Sequence, residues 1–471
     1  MRILTISTSE RIGGGAIAAS RLNDALCRNG MKARMLVRDK QTDAVTVAQT
    51  GNLWPKIAER LDVWMHNGFS RKRLWLADTA CCGVDILGTR EYQEADVVHL
   101  HWVNQGMLSI STLERMVEEE KPLVWTLHDE WPFLGVCHYR GACQETECRR
   151  CPLMRGGLPH RLLKRKHELL QRANITLVGC SQWITDRARE ALPGVRVQHI
   201  NNCIPHALYH PIPQQEARQQ WNLPQQAHIL LFCSQKVTDQ RKGMTYLLEA
   251  LGQLHVEDLH LVVVGAGASA IASLCPGISF TALGSVPPEQ MPSVYAAADV
   301  FVTPSLEDNL PNTIAESMSV GTPCVGFRTG GIPEMISHGV TGYVADQRDA
   351  ADLAQTVVVA CALKDIPFRF TGLASLKIKE TDRIEALKTE LRKLGYVLHD
   401  TGGDTLSWDG SRCEPTMEPL DTYEDHRMAM AFAPAAIKFP GLRINDPEVV
   451  SKSYPAFWDD LRHAGFTIDE Y

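Results

Sequence analysis

"VADQRDAADLAQTVVVACALKDIPFRF", residues 344–370, decides how many folds this chain holds. Read from the left, it ends one strand of a repeating strand–helix pattern and starts the next helix. Read from the right, it opens a segment of different character, well established by Phe368. Residues 352–363 suit both readings, because each pattern needs a helix with an apolar face at that point.

Outward to the left, the pattern is regular. Residues 2–7 form an apolar run, Gly13, Gly14 and Gly15 follow, and residues 16–27 carry helical spacing in Ile17, Leu22 and Leu26 before Gly30 stops them. Residues 33–37, 96–100 and 123–127 are further short apolar runs. The pattern restarts at 228–232 and continues at 259–267, 300–305 and 323–327. Such alternation predicts parallel sheets covered on both faces, hence an α/β chain with two tandem Rossmann-like, doubly wound domains. Pro205, Pro211, Pro213 and Pro224 place a linker between them. The expected domains are 1–200 and 201–350, followed by a segment 351–471 of α+β type. Ligands of doubly wound sheets bind at the carboxyl ends of the strands.

The bulk properties agree with an ordinary globular protein. The chain has 471 residues, is 44% hydrophobic and 22% charged, and carries a net charge of −7. That length suits roughly three domains of ~150 residues. The acidic balance argues against a nucleic-acid partner. Residues 1–7 read as a buried strand rather than a signal peptide, and no run approaches the ~18 apolar residues of a membrane span. A cytoplasmic protein is expected, with most of its 14 cysteines serving as small core residues.

The left half concentrates its chemistry in residues 306–316. Asn309 can cap a helix and Pro311 suits its first turn. The free N–H groups at such a helix start favour an anionic phosphate. Asp308 precedes the helix, and Glu316 lies eight positions on, so one carboxylate could hold sugar hydroxyls and the other ribose hydroxyls. A capped surface helix with two solvated acids is the plain alternative. A second glycine turn, Gly330 and Gly331, opens another helix. Arg241 and Lys242 supply cations, and Gly14 and Gly15 allow close backbone approach.

The motifs "GGGAIAASRL", "HLHWVNQG", "WTLHDEWPFLGVCHY", "QRKG", "EDNLPNTIAESMSVGTPCVGF", "GGIPEMI" and "HGVTGYVA" carry a resemblance. Through them, residues 1 to about 350 resemble the family 4 retaining glycosyltransferases of GT-B fold that build bacterial polysaccharides of the colanic-acid kind. The resemblance implies a nucleotide-sugar donor and a glycan or lipid-linked acceptor. It implies that the donor diphosphate lies between Lys242, a second cation (Lys236 or Arg241) and the helix start at Asn309, Leu310 and Asn312. Glu316 is then expected at the ribose and His128 near the reacting sugar. His101, Trp102 and Asn104 could line the acceptor side or simply pack. The family's pattern is Glu, seven residues, Glu; here the first position is Asp308, with Glu307 beside it. Fixed cations and N–H groups stabilise a leaving diphosphate, so no metal is required for that task.

Two other features stand out. Cys137, Cys143, Cys148 and Cys151 end in a CxxC pair, which favours a structural zinc in a reducing compartment, with His138 able to replace one ligand. Reduced thiols or two disulfides are the alternatives. "HRLLKRKHELL", 160–170, is a basic helix with an apolar stripe. It reads as a solvated face, or as a peripheral contact with an anionic inner membrane carrying the acceptor.

To the right of the junction, "GLASLKIKETDRIEALKTELRKLG" places Lys379, Glu380 and Arg383 at the start of an amphipathic helix with Ile384, Leu387, Leu391 and Leu394 on its apolar face. "TYEDHRMAMAFAPAAI" opens a second helix with Asp425, His426 and Arg427, and "INDPEVVSKSYPAFWDDL" carries Lys452. Each alone would be a capped helix. Together, residues 352–471 resemble the C-terminal end of 5-enolpyruvylshikimate-3-phosphate synthase. The resemblance implies that Lys379, Arg383, Arg427 and Lys452 contact the phosphoenolpyruvate anion. It implies Glu380 as an acid/base group with His426 nearby, and Asp352 as the acid handling the shikimate hydroxyl. The rest of that enzyme is missing, with most of the contacts to shikimate 3-phosphate. The chain thus reads as a chimera, arising either in the gene or in assembly of its sequence. A glycosyltransferase is the leading expectation, a carboxyvinyltransferase of aromatic amino-acid biosynthesis the rival, and a chain with neither site complete the third.

Overall fold

The computed structural model describes the whole chain apart from residues 52, 256–257, 275–276, 338–340, 346–357, 360, 364, 366, 371–381, 403–404, 453–456, 464 and 470–471. The chain divides into two compact units. The first is Met1–Pro205 together with Glu307–Asn312, and the second is His206–Leu306 together with Thr313–Tyr471.

The first unit is built on β1 (Arg2–Ser9), β2 (Lys32–Asp39), β3 (Val47–Gln49), β4 (Val97–Leu100), β5 (Leu123–Leu127), β6 (Ile175–Gly179) and β7 (Arg196–His199). They form one sheet in the order β3-β2-β1-β4-β5-β6-β7, parallel throughout. The apolar runs become the strands because helices cover both sheet faces: Leu4, Ile6, Val98, Leu100, Trp125 and Leu127 are all buried. Strand order reverses between β1 and β4, the point at which sheets of this kind take ligands at their carboxyl ends. The helix Gly14–Arg28 starts immediately after β1 at that point and packs through Ala16, Ala18 and Ala19.

The second unit contains β8 (His228–Lys236), β9 (Leu254–His255), β10 (Leu259–Ala266), β11 (Ser279–Gly284), β12 (Val300–Thr303), β13 (Cys324–Phe327), β14 (Gly342–Ala345), β15 (Phe368–Phe370), β16 (His399–Thr401) and β17 (Thr405–Trp408). Six of them make a second parallel sheet, β11-β10-β8-β12-β13-β14, whose order reverses between β8 and β12. The remaining four form an antiparallel sheet, β16-β17-β15-β9. Its edge strand β9 comes from the left half of the chain and pairs with β15 from the right half, Phe370 opposite Leu254 and Arg369 opposite His255.

One apolar core runs through both parts. Leu247 and Leu251 from the helix Met244–Gln253, Phe327 from β13 and Ala345 from β14 share it with Phe368, Phe370, Ile384, Leu387, Leu391 and Trp408. Val358, Val359 and Ala362, from the stretch that suits both readings, are buried in the same core. The boundary expected at residue 351 therefore does not separate two compact units. The helix Arg383–Lys393 buries Ile384, Leu387 and Leu391 as its spacing predicts.

The helix Leu158–Arg172 contains the basic stretch 160–170. Leu162, Leu163, Leu169 and Leu170 face the interior, so the apolar stripe is covered by protein; Lys166 is buried with it, while Arg161, Lys164 and Arg165 are exposed.

Candidate functional site

In the first unit, the first turn after β1 approaches the end of β5. Gly13 has φ 95°, which an L side chain resists. A Cβ added to Gly15 would lie 2.9 Å from Cγ of His128, so only glycine lets the helix start pass over this ring. Asn312 Nδ2 donates to the carbonyl of Gly14 at 2.9 Å, and Asn202 Nδ2 donates to Asn312 Oδ1 at 3.1 Å. His128 Nε2 and His101 Nδ1, at the ends of β5 and β4, share a hydrogen bond of 2.9 Å, with the rings stacked. Burial pushes His128 down to about 4. Burial, then His99 and His128, hold His101 well below the usual imidazole range. Both rings are neutral near pH 7, so one donates and the other accepts.

Asp129, next to His128, anchors a buried network that the sequence did not disclose. Its Oδ2 accepts from Trp102 Nε1 at 2.8 Å and lies 2.7 Å from His138 Nδ1, while its Oδ1 accepts from the Trp131 N–H. Burial raises the Asp129 carboxyl, but His138, Trp102 and the Trp131 N–H outweigh it and hold the group below the ordinary range. The other ring nitrogen of His138 lies 2.7 Å from Asp78 Oδ2, and Asp78 also pairs with Arg60. Trp102, expected on the acceptor side, thus has its indole N–H tied inward.

Asn309 does not cap the helix as expected. Its Nδ2 donates to the Leu127 carbonyl at 2.9 Å and its Oδ1 accepts from Ser181 at 2.6 Å, while the helix itself opens at Asn312 and runs to Ser319. Asp308 and Leu310 are half-buried beside it. Glu307 lies over Gly141: a Cβ there would meet its Oε1 at 2.7 Å.

In the second unit, the carboxyl ends of β8 and β12 gather the expected donor-binding residues. Lys236 closes β8 and is exposed. The turn Gln240–Lys242 is capped by Asp239, which also holds the Arg241 guanidinium at 2.7 Å. Gly243 has φ 72°, and a Cβ there would lie 1.7 Å from the Pro304 carbonyl oxygen, so this glycine seats Lys242 against the end of β12. The Leu306 N–H donates to the Arg241 carbonyl at 2.7 Å, closing the same junction. Glu316 is buried and its Oε2 accepts from the Tyr295 hydroxyl at 2.9 Å. Burial, then Glu316, push the neighbouring Cys233 thiol up to about 12. Gly330 has φ 54° and Gly331 caps the short helix Ile332–Met335.

In the right-hand segment, Asp352, Lys379 and Glu380 lie outside the described residues, as does the side chain of Lys452. His426 and Arg427 are half-buried at the start of the helix His426–Phe432. Arg383 lies in the interior. Its side chain is 0% exposed and its Nε lies 2.8 Å from Asp425 Oδ2, also 0% exposed. The pair links the starts of two helices.

The four clustered cysteines are free thiols. Burial, then Cys148 and Cys151, push Cys137 up to about 12, which places three of the four near one another. Among the described residues, no group of three or more His, Cys, Asp or Glu side chains is arranged to hold a metal ion. His138, offered as a substitute ligand, is held between Asp78 and Asp129. Also among the described residues, no helix is long and apolar enough to cross a membrane.

Comparison with known proteins divides the chain in the same way. Residues 227–362 match the family described as glycosyl transferases group 1, and residues 331–461 match EPSP synthase, 3-phosphoshikimate 1-carboxyvinyltransferase. The two matches overlap across the quoted junction. A 3-phosphoshikimate 1-carboxyvinyltransferase of Bacteroides fragilis is 69% identical over 121 residues, 26% of this chain and 30% of the relative. One of Cellvibrio japonicus is 44% identical over 108 residues, 23% of this chain and 25% of the relative. The chain thus spans less than a third of the length of these two relatives. Among solved structures, a sucrose-phosphate synthase from Thermosynechococcus elongatus aligns with TM-score 0.54 at 17% identity, covering 77% of this chain and 90% of its own. Anabaena HepE in complex with UDP-glucose aligns with TM-score 0.51 at 18% identity, covering 77% and 89%. At such identities the likeness concerns fold: two doubly wound parallel sheets of the GT-B kind. The chain thus carries a region similar to group 1 glycosyl transferases, followed by a region similar to EPSP synthase.

Proposed function

We propose that this chain transfers a sugar, with retention, from a nucleotide-sugar donor to a polysaccharide or lipid-linked acceptor. The observation that carries the reading is the junction at β8 and β12, where Gly243 seats Lys242 and the buried Glu316 follows, all inside the group 1 glycosyl transferase match. HepE, a neighbour in fold, binds UDP-glucose, which supports a nucleotide-sugar donor here.

In this reading, Lys242 with Arg241 or Lys236 and the first N–H groups of the helix Asn312–Ser319 stabilise charge on the leaving diphosphate. Glu316 accepts ribose hydroxyls while Tyr295 fixes its carboxylate. Gly14, Gly15, Gly330 and Gly331 let backbone approach the donor. The neutral His128, held by His101, offers a hydrogen bond to the reacting sugar. Asp308 or Glu307 takes the place of the first family acid. None of these roles needs a metal.

Glu316→Ala and Lys242→Ala each remove a charge-assisted contact of roughly 1.5–3 kcal/mol, so donor affinity falls about 10- to 150-fold. Isothermal titration with UDP-sugars and the free nucleoside diphosphate measures it. Unchanged affinity and turnover in both variants would show that the donor site lies elsewhere.

A second reading, carboxyvinyl transfer to shikimate 3-phosphate, rests on the 69% identity of the right-hand segment. The short span of the matched relatives weighs against it.

A further inference from the structure

We infer that residues 53–76 form a docking face for an anionic membrane surface. Of the 15 exposed large hydrophobic side chains among the described residues, 9 fall between Leu53 and Leu76. A monomeric soluble protein rarely gathers exposed apolar groups so densely.

The helix Trp54–His66 explains the concentration. Trp54, Ile57, Leu61, Trp64 and Met65 recur at helical spacing and are exposed together, while Glu59, Arg60 and Val63 bury the opposite side. The loop after the helix extends the face. Phe69 packs edge-on against Trp64 at 4.8 Å and remains 62% exposed. Trp75 lies over the Arg60 guanidinium at 5.2 Å, and Arg60 donates to the Leu74 carbonyl, so the loop folds back along the helix.

A basic rim borders these groups. Arg71, Lys72 and Arg73 form one exposed turn. Arg73 donates to the Pro152 carbonyl at 2.9 Å, and the exposed Arg155 is tied by its N–H to the His66 carbonyl. The two acids of the helix do not oppose them: Glu59 is buried and accepts from the Ala80 N–H, and Asp62 faces His66 at 3.3 Å. An in-plane helix with Trp, Leu and Ile on one side and Arg and Lys beside it suits the boundary between acyl chains and anionic headgroups. A second copy suits it less, because a two-fold contact would set basic rim against basic rim. The helix Leu158–Arg172 offers no comparable face, since its apolar stripe is buried.

The inference does not depend on sugar transfer. The test is flotation of the full chain with phosphatidylcholine vesicles, with and without about one-third phosphatidylglycerol. Expected is a partition at least about tenfold higher on the anionic vesicles, falling as salt rises. Ile57→Glu with Trp64→Glu lowers it about tenfold or more, and so does Arg71→Glu with Lys72→Glu and Arg73→Glu. All altered positions are exposed, and an unchanged thermal melt shows that each variant folds. Failure of the unaltered chain to bind anionic vesicles overturns the inference, as does equal binding by both folded variants. If the apolar variant instead turns an oligomer into a monomer while vesicle binding persists, the face belongs to a second copy and the inference fails.

Discussion

Asp425→Ala should damage far more than the helix it caps. Asp425 and Arg383 are both fully buried, 2.8 Å apart, and removal of the carboxylate takes from a core guanidinium a counter-charge in direct contact with it. Such a loss costs about 3–5 kcal/mol. The same carboxylate accepts from the Arg427 N–H at 2.9 Å and so caps the helix His426–Phe432, which adds about 1 kcal/mol. Against a total stability of about 5–15 kcal/mol, the unit loses a large share. At roughly 2–4 °C per kcal/mol for a unit of this size, Tm falls by roughly 10–20 °C. Because Ile384 and Leu387 share a core with Phe327 and Ala345, the parallel sheet melts with the right-hand segment in one transition. Differential scanning calorimetry of the full chain measures both the shift and the number of transitions. Arg383→Met with Asp425→Leu removes both charges and recovers most of the loss. A variant melting within about 2 °C of the unaltered chain, or a right-hand segment melting separately from the sheet, refutes the reasoning.

Gly15→Ala sets a methyl group 2.9 Å from His128 Cγ, so the ring shifts and its bond to His101 weakens. If His128 works at the reacting sugar and Gly15 admits the donor, kcat falls about 10- to 100-fold and donor affinity falls with it, as steady-state kinetics and donor titration will show. We propose about one zinc per chain on Cys137, Cys143, Cys148 and Cys151, to be measured by elemental analysis without added metal; near-zero content with four titrating thiols refutes it. No growth rescue is expected when this chain is expressed in a bacterium lacking its own carboxyvinyltransferase on medium without aromatic amino acids. Rescue that Glu380→Gln abolishes would assign the protein to that enzyme instead.

The parallel sheets were legible because strands buried on both faces read as unbroken apolar runs, such as "LHLVVVGAG" at β10. Gly15 was legible as a close-approach glycine, but what approaches it, His128, lies more than 100 residues away. The Asp78–His138–Asp129 arrangement was not legible, since its partners are 60 and 9 residues from His138 and follow no period. The burial of Arg383 was hidden for a related reason. Local charge density does not reveal burial, and the carboxylate that seals it lies 42 residues on. The apolar face at 53–76 was visible in the letters, but only exposure distinguishes such a stripe from core.

The shared core explains how a junction of two unrelated patterns is accommodated. Val358, Val359 and Ala362 are buried and supply apolar volume to the core shared by the two patterns. The harder demand is strand pairing, because β15 arrives with backbone groups that need partners. Leu254 and His255 meet it on one side through β9, and β17 meets it on the other, with Phe368 opposite Trp408. The helix Met244–Gln253, which leads directly into β9, also carries Leu247 and Leu251 into the common core. The same helix follows the turn that seats Lys242. The turn proposed to bind the donor is thus continuous with the element that docks the right-hand segment, and a cut at residue 351 would uncover the apolar face behind Lys242. The left half cannot be judged as an enzyme apart from the segment joined to it.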